Sequence, residues 1–266
     1  ESVFNFPEAF INPGDYALMP NPGYPPYERG TLFAEGKCYF VPLIKENNFL
    51  MDLSSIPNEI IKKSKILWIN YPNNPTGAIA GKEFFMEVID FGHDNGVIIA
   101  SDECYTEIYF KEKPHSILEC SKEGVVIFQS LSKRSAMTGY RIGWAAGDEN
   151  VISAFKKLKT NIDSGTPAFV QDAAIAALKD EKHVEKMRMD YKTKRDIMNE
   201  ALKAAGLEDC TPDAAMYIWQ KTPKGMNSVD FARRLLQKDI GIVTTPGAWI
   251  STKFNGLNPG DNYARF

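Results

Sequence analysis

The chain has 266 residues, 44% hydrophobic and 24% charged, a composition that supplies a sizeable core and describes an ordinary globular protein. A net charge of −3 argues against a nucleic-acid partner and against attraction to an anionic membrane. No apolar run approaches the length of a membrane span.

Short apolar runs predict strands at 16–19 (YALM), 38–42 (CYFVP), 66–70 (ILWIN), 96–101 (GVIIAS), 125–129 (VVIFQ) and 142–146 (IGWAA). They are continuous rather than alternating, as in strands buried on both faces of a parallel sheet. Between them, residues 81–96 predict a helix with Phe84, Phe85, Val88, Ile89 and Phe91 on one broad face and a glycine stop. The alternation predicts an α/β fold, a mostly parallel sheet sandwiched by helices. Beyond about residue 148 the pattern changes. Helical stretches cover 149–178, with SGTPA (164–168) as a break, and 181–205. A strand (215–220), a helix (228–239), a strand (240–245) and a last strand at YARF (263–266) follow. The expected organisation is a large domain over 1–150, an interdomain helix region over 151–180 and a smaller α+β domain over 181–266. The mixed-charge run at 179–196 is expected to be a solvated helix face. Cys38, Cys104, Cys120 and Cys210 form no C-x-x-C pair, so reduced thiols and a cytoplasmic setting are expected. His93, His115 and His183 show no metal-ligand spacing, and no metal is expected.

In open α/β sheets, ligands bind beyond the carboxyl ends of the strands. Three polar clusters fall there: YPNNPTG (71–77), DECY (102–105) and SLSKRSAMTGYRIG (130–143). Each has a plain reading. NNPTG can be only a turn, Asp102 only a helix N-cap, and Lys133 only a solvated lysine. Three clusters on one rim weaken the three plain readings together. Ser130, Ser132 and Arg141 suit a phosphate, Asp102 is a carboxylate to face it, and Lys133 lies between. A phosphorylated pyridine aldehyde satisfies all three features: the lysine condenses with the aldehyde, the carboxylate keeps the ring nitrogen protonated, and the hydroxyls and guanidinium anchor the phosphate.

These residues carry a resemblance. NPGYP (21–25), NNPTG (73–77), SDECY (101–105), SLSK (130–133), GYRIG (139–143) and YARF (263–266) resemble, in order and approximate spacing, the class I/II aminotransferases of pyridoxal-phosphate fold type I. The resemblance implies roles. Lys133 is the Schiff-base lysine and proton carrier, and Asp102 the partner of the pyridinium nitrogen. Tyr105 and Asn74 hydrogen-bond the ring's 3′ oxygen. Tyr24 stacks on the ring, and Ser130, Ser132 and Arg141 hold the phosphate. Arg265 grips the substrate α-carboxylate, with Asn74 beside it. Trp249 sits where the family approaches its substrate, and core packing would explain it equally well.

The resemblance further implies an amino-acid aminotransferase acting on an amino acid and a 2-oxo acid, a homodimer when complete. It is closest in look to bacterial succinyldiaminopimelate or aspartate aminotransferases of lysine or aspartate metabolism. A C–S lyase of the same fold and a ligand-sensing module of a regulator are the alternatives. The family's phosphate-binding Gly-Ser/Thr turn is expected before Glu1 and the end of the small domain after Arg265. The 266 residues are therefore expected to be a truncated core, catalytically deficient and poor at holding pyridoxal phosphate.

Overall fold

Six strands in the first half of the chain form one sheet in the computed structural model, which describes all 266 residues. They are β1 (Tyr16–Asn21), β2 (Lys37–Pro42), β3 (Ser64–Asn70), β4 (Ile98–Asp102), β5 (Val125–Ser130) and β6 (Gly143–Gly147). The spatial order is β2-β1-β3-β4-β5-β6. Neighbours are parallel except β5 and β6, which run antiparallel. The β5–β6 link holds only a four-residue helix, Leu131–Arg134, and a three-residue 3-10 turn, too little chain for a parallel crossover. The hairpin has a functional consequence. It pairs Ser130 with Gly143, so the residues entering β6 lie on the same edge as those leaving β5.

Period-two alternation divides the strands' side chains between two cores. On one face Leu67, Ile69 and Ile99 pack under the helix Lys82–Asn95, which contributes Phe84, Phe85, Val88 and Ile89. Gly96 ends that helix in the left-handed conformation, φ 64°, where glycine carries no Cβ penalty. Burying each of its four large apolar side chains stabilises the fold by about 1.5–3 kcal/mol. On the other face Ile66, Trp68, Ala100 and Phe128 pack with Phe6, Tyr27 and Phe155. Sheet and helices form the expected α/β sandwich.

The predicted break at 164–168 separates two helices, Glu149–Ile162 and Ala168–Lys179, and a third spans Lys182–Ala204. A second, antiparallel sheet follows, ordered β7 (Trp219–Lys221), β9 (Tyr263–Arg265), β8 (Thr245–Pro246).

Two expected strands are shorter than the sequence pattern suggests. The run 215–220 gives a strand only from Trp219, because residues 213–215 bond to the chain at 108–110. Phe110 N–H donates to Asp213 O, and Ala215 N–H donates to Ile108 O. The run 240–245 gives a strand only from Thr245. Gly241, at φ 72°, turns the chain so that Ile242 N–H donates back to Leu235 O, and Val243 is left 83% exposed.

Candidate active site

The carboxyl ends of β3, β4 and β5 place Asn70, Asp102 and Ser130 along one sheet edge, with Asn70 opposite Asp102 in register. The three polar clusters therefore share a rim.

Asp102 caps no helix. It is buried, and Tyr27 Oη donates to its Oδ2 at 2.7 Å. Cys104 N–H donates to Oδ1 at 3.3 Å, and Asn70 Nδ2 donates to the Asp102 carbonyl at 2.8 Å. Burial pushes the carboxyl up, while the bonds from Tyr27 and Cys104 and the Lys133 charge pull it back. A further cation at this site would favour the carboxylate still more. Lys133 belongs to the short helix after β5 and is half-buried. Its Nζ lies 5.8 Å from the centre of the Tyr105 ring, so it faces the site rather than bulk solvent.

The two asparagines of NNPTG divide the readings between them. Asn73 makes the turn, its Oδ1 accepting from Thr76 N–H at 3.1 Å and Thr76 Oγ1 at 2.8 Å. Gly77 closes the turn at φ 73°, where a Cβ would lie 2.5 Å from Pro212 Cβ. Asn74 is free of that work, and its Oδ1 accepts from Arg265 Nη1 at 3.2 Å across 191 residues of sequence. Arg265, in β9, is thereby brought over the rim from the second sheet.

Tyr24 holds the extended conformation that the following proline favours, and Pro25 opens the helix Pro25–Phe33. Tyr24 and Tyr27 are one helical turn apart and meet edge to face at 5.8 Å. Burial raises the Tyr24 phenol, Asp102 adds to this and Arg141 opposes it, so both charges are felt there. Arg141 spends Nη1 on the Thr138 carbonyl at 2.7 Å and otherwise stands exposed. Ser130 has local work: its Oγ caps the short helix by accepting from Ser132 N–H at 3.1 Å. Ser132 accepts from Thr138 Oγ1 through its carbonyl, which braces the loop between the two serines and Arg141. Trp249 is 72% exposed and takes no part in core packing.

Three residues escaped the sequence reading. Tyr27 had a signal, its i+3 spacing from Tyr24 in GYPPY. Tyr217 had none, since it falls within an expected strand. Its Oη lies 3.2 Å from Tyr105 Oη, and its ring lies 4.7 Å from the Arg265 guanidinium carbon. Glu103, next to Asp102 but on the opposite face, is fully buried. Its Oε1 accepts from Ile117 N–H at 3.0 Å and Ser101 Oγ at 3.3 Å, while Oε2 has no partner. Burial pushes its carboxyl from 4.5 to about 7. The unfolded chain thus ionises at lower pH than the folded one, and stability falls as pH rises from 4.5 to about 7. Glu103→Gln cannot ionise. The wild type's stability advantage over this variant is expected to shrink by roughly 3 kcal/mol between pH 4 and pH 8, measured by urea denaturation.

The sequence profile of the family described as aminotransferase class I and II matches residues 1–256. The chain is 49% identical over 251 residues to the LL-diaminopimelate aminotransferase of Aquifex aeolicus, covering 93% of this chain and 65% of that protein. It is 45% identical over 269 residues to the LL-diaminopimelate aminotransferase of Syntrophobacter fumaroxidans, covering 100% of this chain and 68% of that one. The chain thus spans about two thirds of the length of these relatives. Among solved structures it is similar to apo-BacF from Bacillus subtilis, with TM-score 0.92, 32% identity and coverage of 99% and 70%. Against the aspartate aminotransferase of Thermotoga maritima the TM-score is 0.88, with 28% identity and coverage of 100% and 68%. A profile match over nearly the whole chain, and relatives close to half identical, establish that this chain belongs to the class I and II aminotransferases, with the fold type I architecture.

Proposed function

We propose that the complete protein is an amino-acid aminotransferase that moves the amino group of LL-diaminopimelate, or a related dicarboxylic amino acid, to a 2-oxo acid. The observation that carries this reading is the convergence on one rim of a half-buried lysine (Lys133), a buried carboxylate (Asp102) and an arginine from the second sheet (Arg265). The family's cofactor is pyridoxal phosphate. The donor set fits it, with an amine, a buried anion within electrostatic reach of that amine, and an exposed guanidinium in a serine-bearing loop. Lys133 would hold its aldehyde carbon, Asp102 its ring nitrogen, Tyr105 and Asn74 its ring oxygen, Tyr24 its face, and Ser130, Ser132 and Arg141 its phosphate. When bound, it supplies an electron sink for the substrate Cα.

The chain's own residues do the rest. The Asp102 carboxylate holds a proton on the ring nitrogen, and the Tyr27 hydroxyl fixes that carboxylate's orientation. The free amine of Lys133 removes the proton from the substrate Cα. Burial raises the Tyr105 phenol well above its ordinary range, so it remains a hydrogen-bond donor. The fork of Arg265 grips the α-carboxylate through two parallel bonds and so fixes the Cα–H bond relative to the lysine. On this reading residues 1–150 hold the cofactor, 151–180 connect, and 181–266 carry the substrate arginine. No helix is long and apolar enough to cross a membrane, which suits our placement of the protein in the cytoplasm. Phe33 and Phe169, each 73% exposed, are apolar surface of the kind a homodimer would cover.

The test is transamination by the full-length protein, with LL-diaminopimelate as donor and 2-oxoglutarate as acceptor, followed as glutamate formed. Pyruvate released from cysteine conjugates, with no glutamate formed, would identify a C–S lyase instead. In the same assay Arg265→Lys is expected to lower kcat/KM about 10²-fold for every amino donor alike, since lysine cannot reproduce the planar fork. A loss confined to one donor would place Arg265 at the substrate side chain.

A further inference from the structure

We propose that Tyr217 is a positioning residue that couples the substrate-carboxylate arginine to the tyrosine beside the cofactor. The inference rests on the reading of Arg265 and Tyr105 given above. Three contacts carry it. The Tyr217 ring lies 4.7 Å from the guanidinium carbon of Arg265, a cation–π platform. Its hydroxyl lies 3.2 Å from that of Tyr105, and the two rings meet edge to face at 5.9 Å. Asn74 completes the arrangement by accepting from Arg265 Nη1 at 3.2 Å. Asn74 takes one Nη1 hydrogen and the Tyr217 ring lies against the guanidinium carbon, which leaves the remaining donors for a carboxylate.

The backbone explains why Tyr217 stands there. Residues 213–215 bond to the chain at 108–110, in the segment after Asp102 and Tyr105. Ile218 and Phe266 then exchange both backbone hydrogen bonds, at 3.0 and 2.9 Å, which locks residue 218 beside the residue following Arg265. Tyr217 lies between these two anchors, one tied to the first sheet's rim and the other to β9. The two phenols play different parts. Either hydroxyl can donate at 3.2 Å, and in this proposal Tyr217 is the donor, which leaves the Tyr105 proton for the cofactor's ring oxygen. This polarises Tyr105 as a donor. The ring and the hydroxyl of Tyr217 therefore serve two neighbours, and two substitutions separate them.

The experiment uses full-length protein loaded with pyridoxal phosphate. Binding of 2-oxoglutarate, which this form holds without transaminating, is measured by calorimetry. The pH midpoint of the cofactor's visible absorbance change is measured alongside. Tyr217→Phe is expected to leave the 2-oxoglutarate Kd within about twofold and to raise the absorbance midpoint, because Tyr105 loses the donor that polarises it. Tyr217→Leu removes the platform as well and is expected to weaken 2-oxoglutarate about tenfold. Arg265→Lys serves as the reference. If it weakens 2-oxoglutarate while Tyr217→Leu does not, the coupling role is wrong and the reading of Arg265 stands. If Arg265→Lys leaves the Kd unchanged, the reading of Arg265 fails and takes the proposal with it. Equal loss of thermal stability in both Tyr217 variants, with Kd and midpoint unmoved, would make Tyr217 a packing residue only.

Discussion

Lys133→Ala in the complete protein is expected to lower kcat about 10⁴-fold or more while the thermal midpoint moves by no more than about 2 °C. The first half follows from the role proposed for the residue. It is the one lysine whose ammonium rests over the Tyr105 ring, within electrostatic reach of Asp102. On the proposed reading its loss removes both the attachment to the cofactor and the base that takes the Cα proton, and water in the site replaces neither. The second half follows from its surroundings. The neighbours that anchor its short helix are Leu131, fully buried, and Arg134, which bonds the Ala177 carbonyl and pairs with Glu181. Lys133 itself is half-buried and is absent from the hydrophobic clusters. Stopped-flow turnover and a thermal melt check the two parts. A large fall in the melting midpoint would make Lys133 a structural residue.

Asp102→Ala is expected to cost about 10³-fold in kcat but about tenfold or less in pyridoxal phosphate affinity. In the proposed roles the carboxylate's charge matters most when negative charge develops at the substrate Cα, whereas affinity rests mainly on Lys133 and the phosphate ligands. Alanine also strands the buried Tyr27 hydroxyl, which should destabilise the fold by about 1–3 kcal/mol. Asp102→Asn separates the two effects. Its amide oxygen can still accept from Tyr27, so stability should recover while turnover stays low. Near-wild-type turnover in Asp102→Asn would contradict a role for the charge.

The large sheet was legible because continuous apolar runs need little context. Each of the six expected runs became a strand, and the polar residues at their carboxyl ends stand out against the apolar runs before them. Asp102 and Asn74 were conspicuous for that reason. The second sheet was less legible, because its pairings are non-local and short. Val243 lies in an apolar run yet is 83% exposed, since the turn at Gly241 carries the chain away from the ladder. Tyr217 was illegible for a related reason. Its place depends on backbone bonds from 213–215 to 108–110, over a hundred residues away, and no local pattern encodes that pairing. Ser130 shows a different limit. A serine after a strand can hold a phosphate or cap a helix, and its hydroxyl has the capping geometry. Tyr27 was within reach of helical spacing, but its meaning required Asp102 to be placed first.

Borohydride reduction decides whether Lys133 is the residue bonded to the cofactor. The full-length protein, loaded with pyridoxal phosphate, is reduced, digested and mapped by mass spectrometry. A pyridoxyl phosphate label is expected on Lys133, at stoichiometric yield. A label on another lysine, such as Lys156 or Lys157, with Lys133 unmodified, would contradict this expectation.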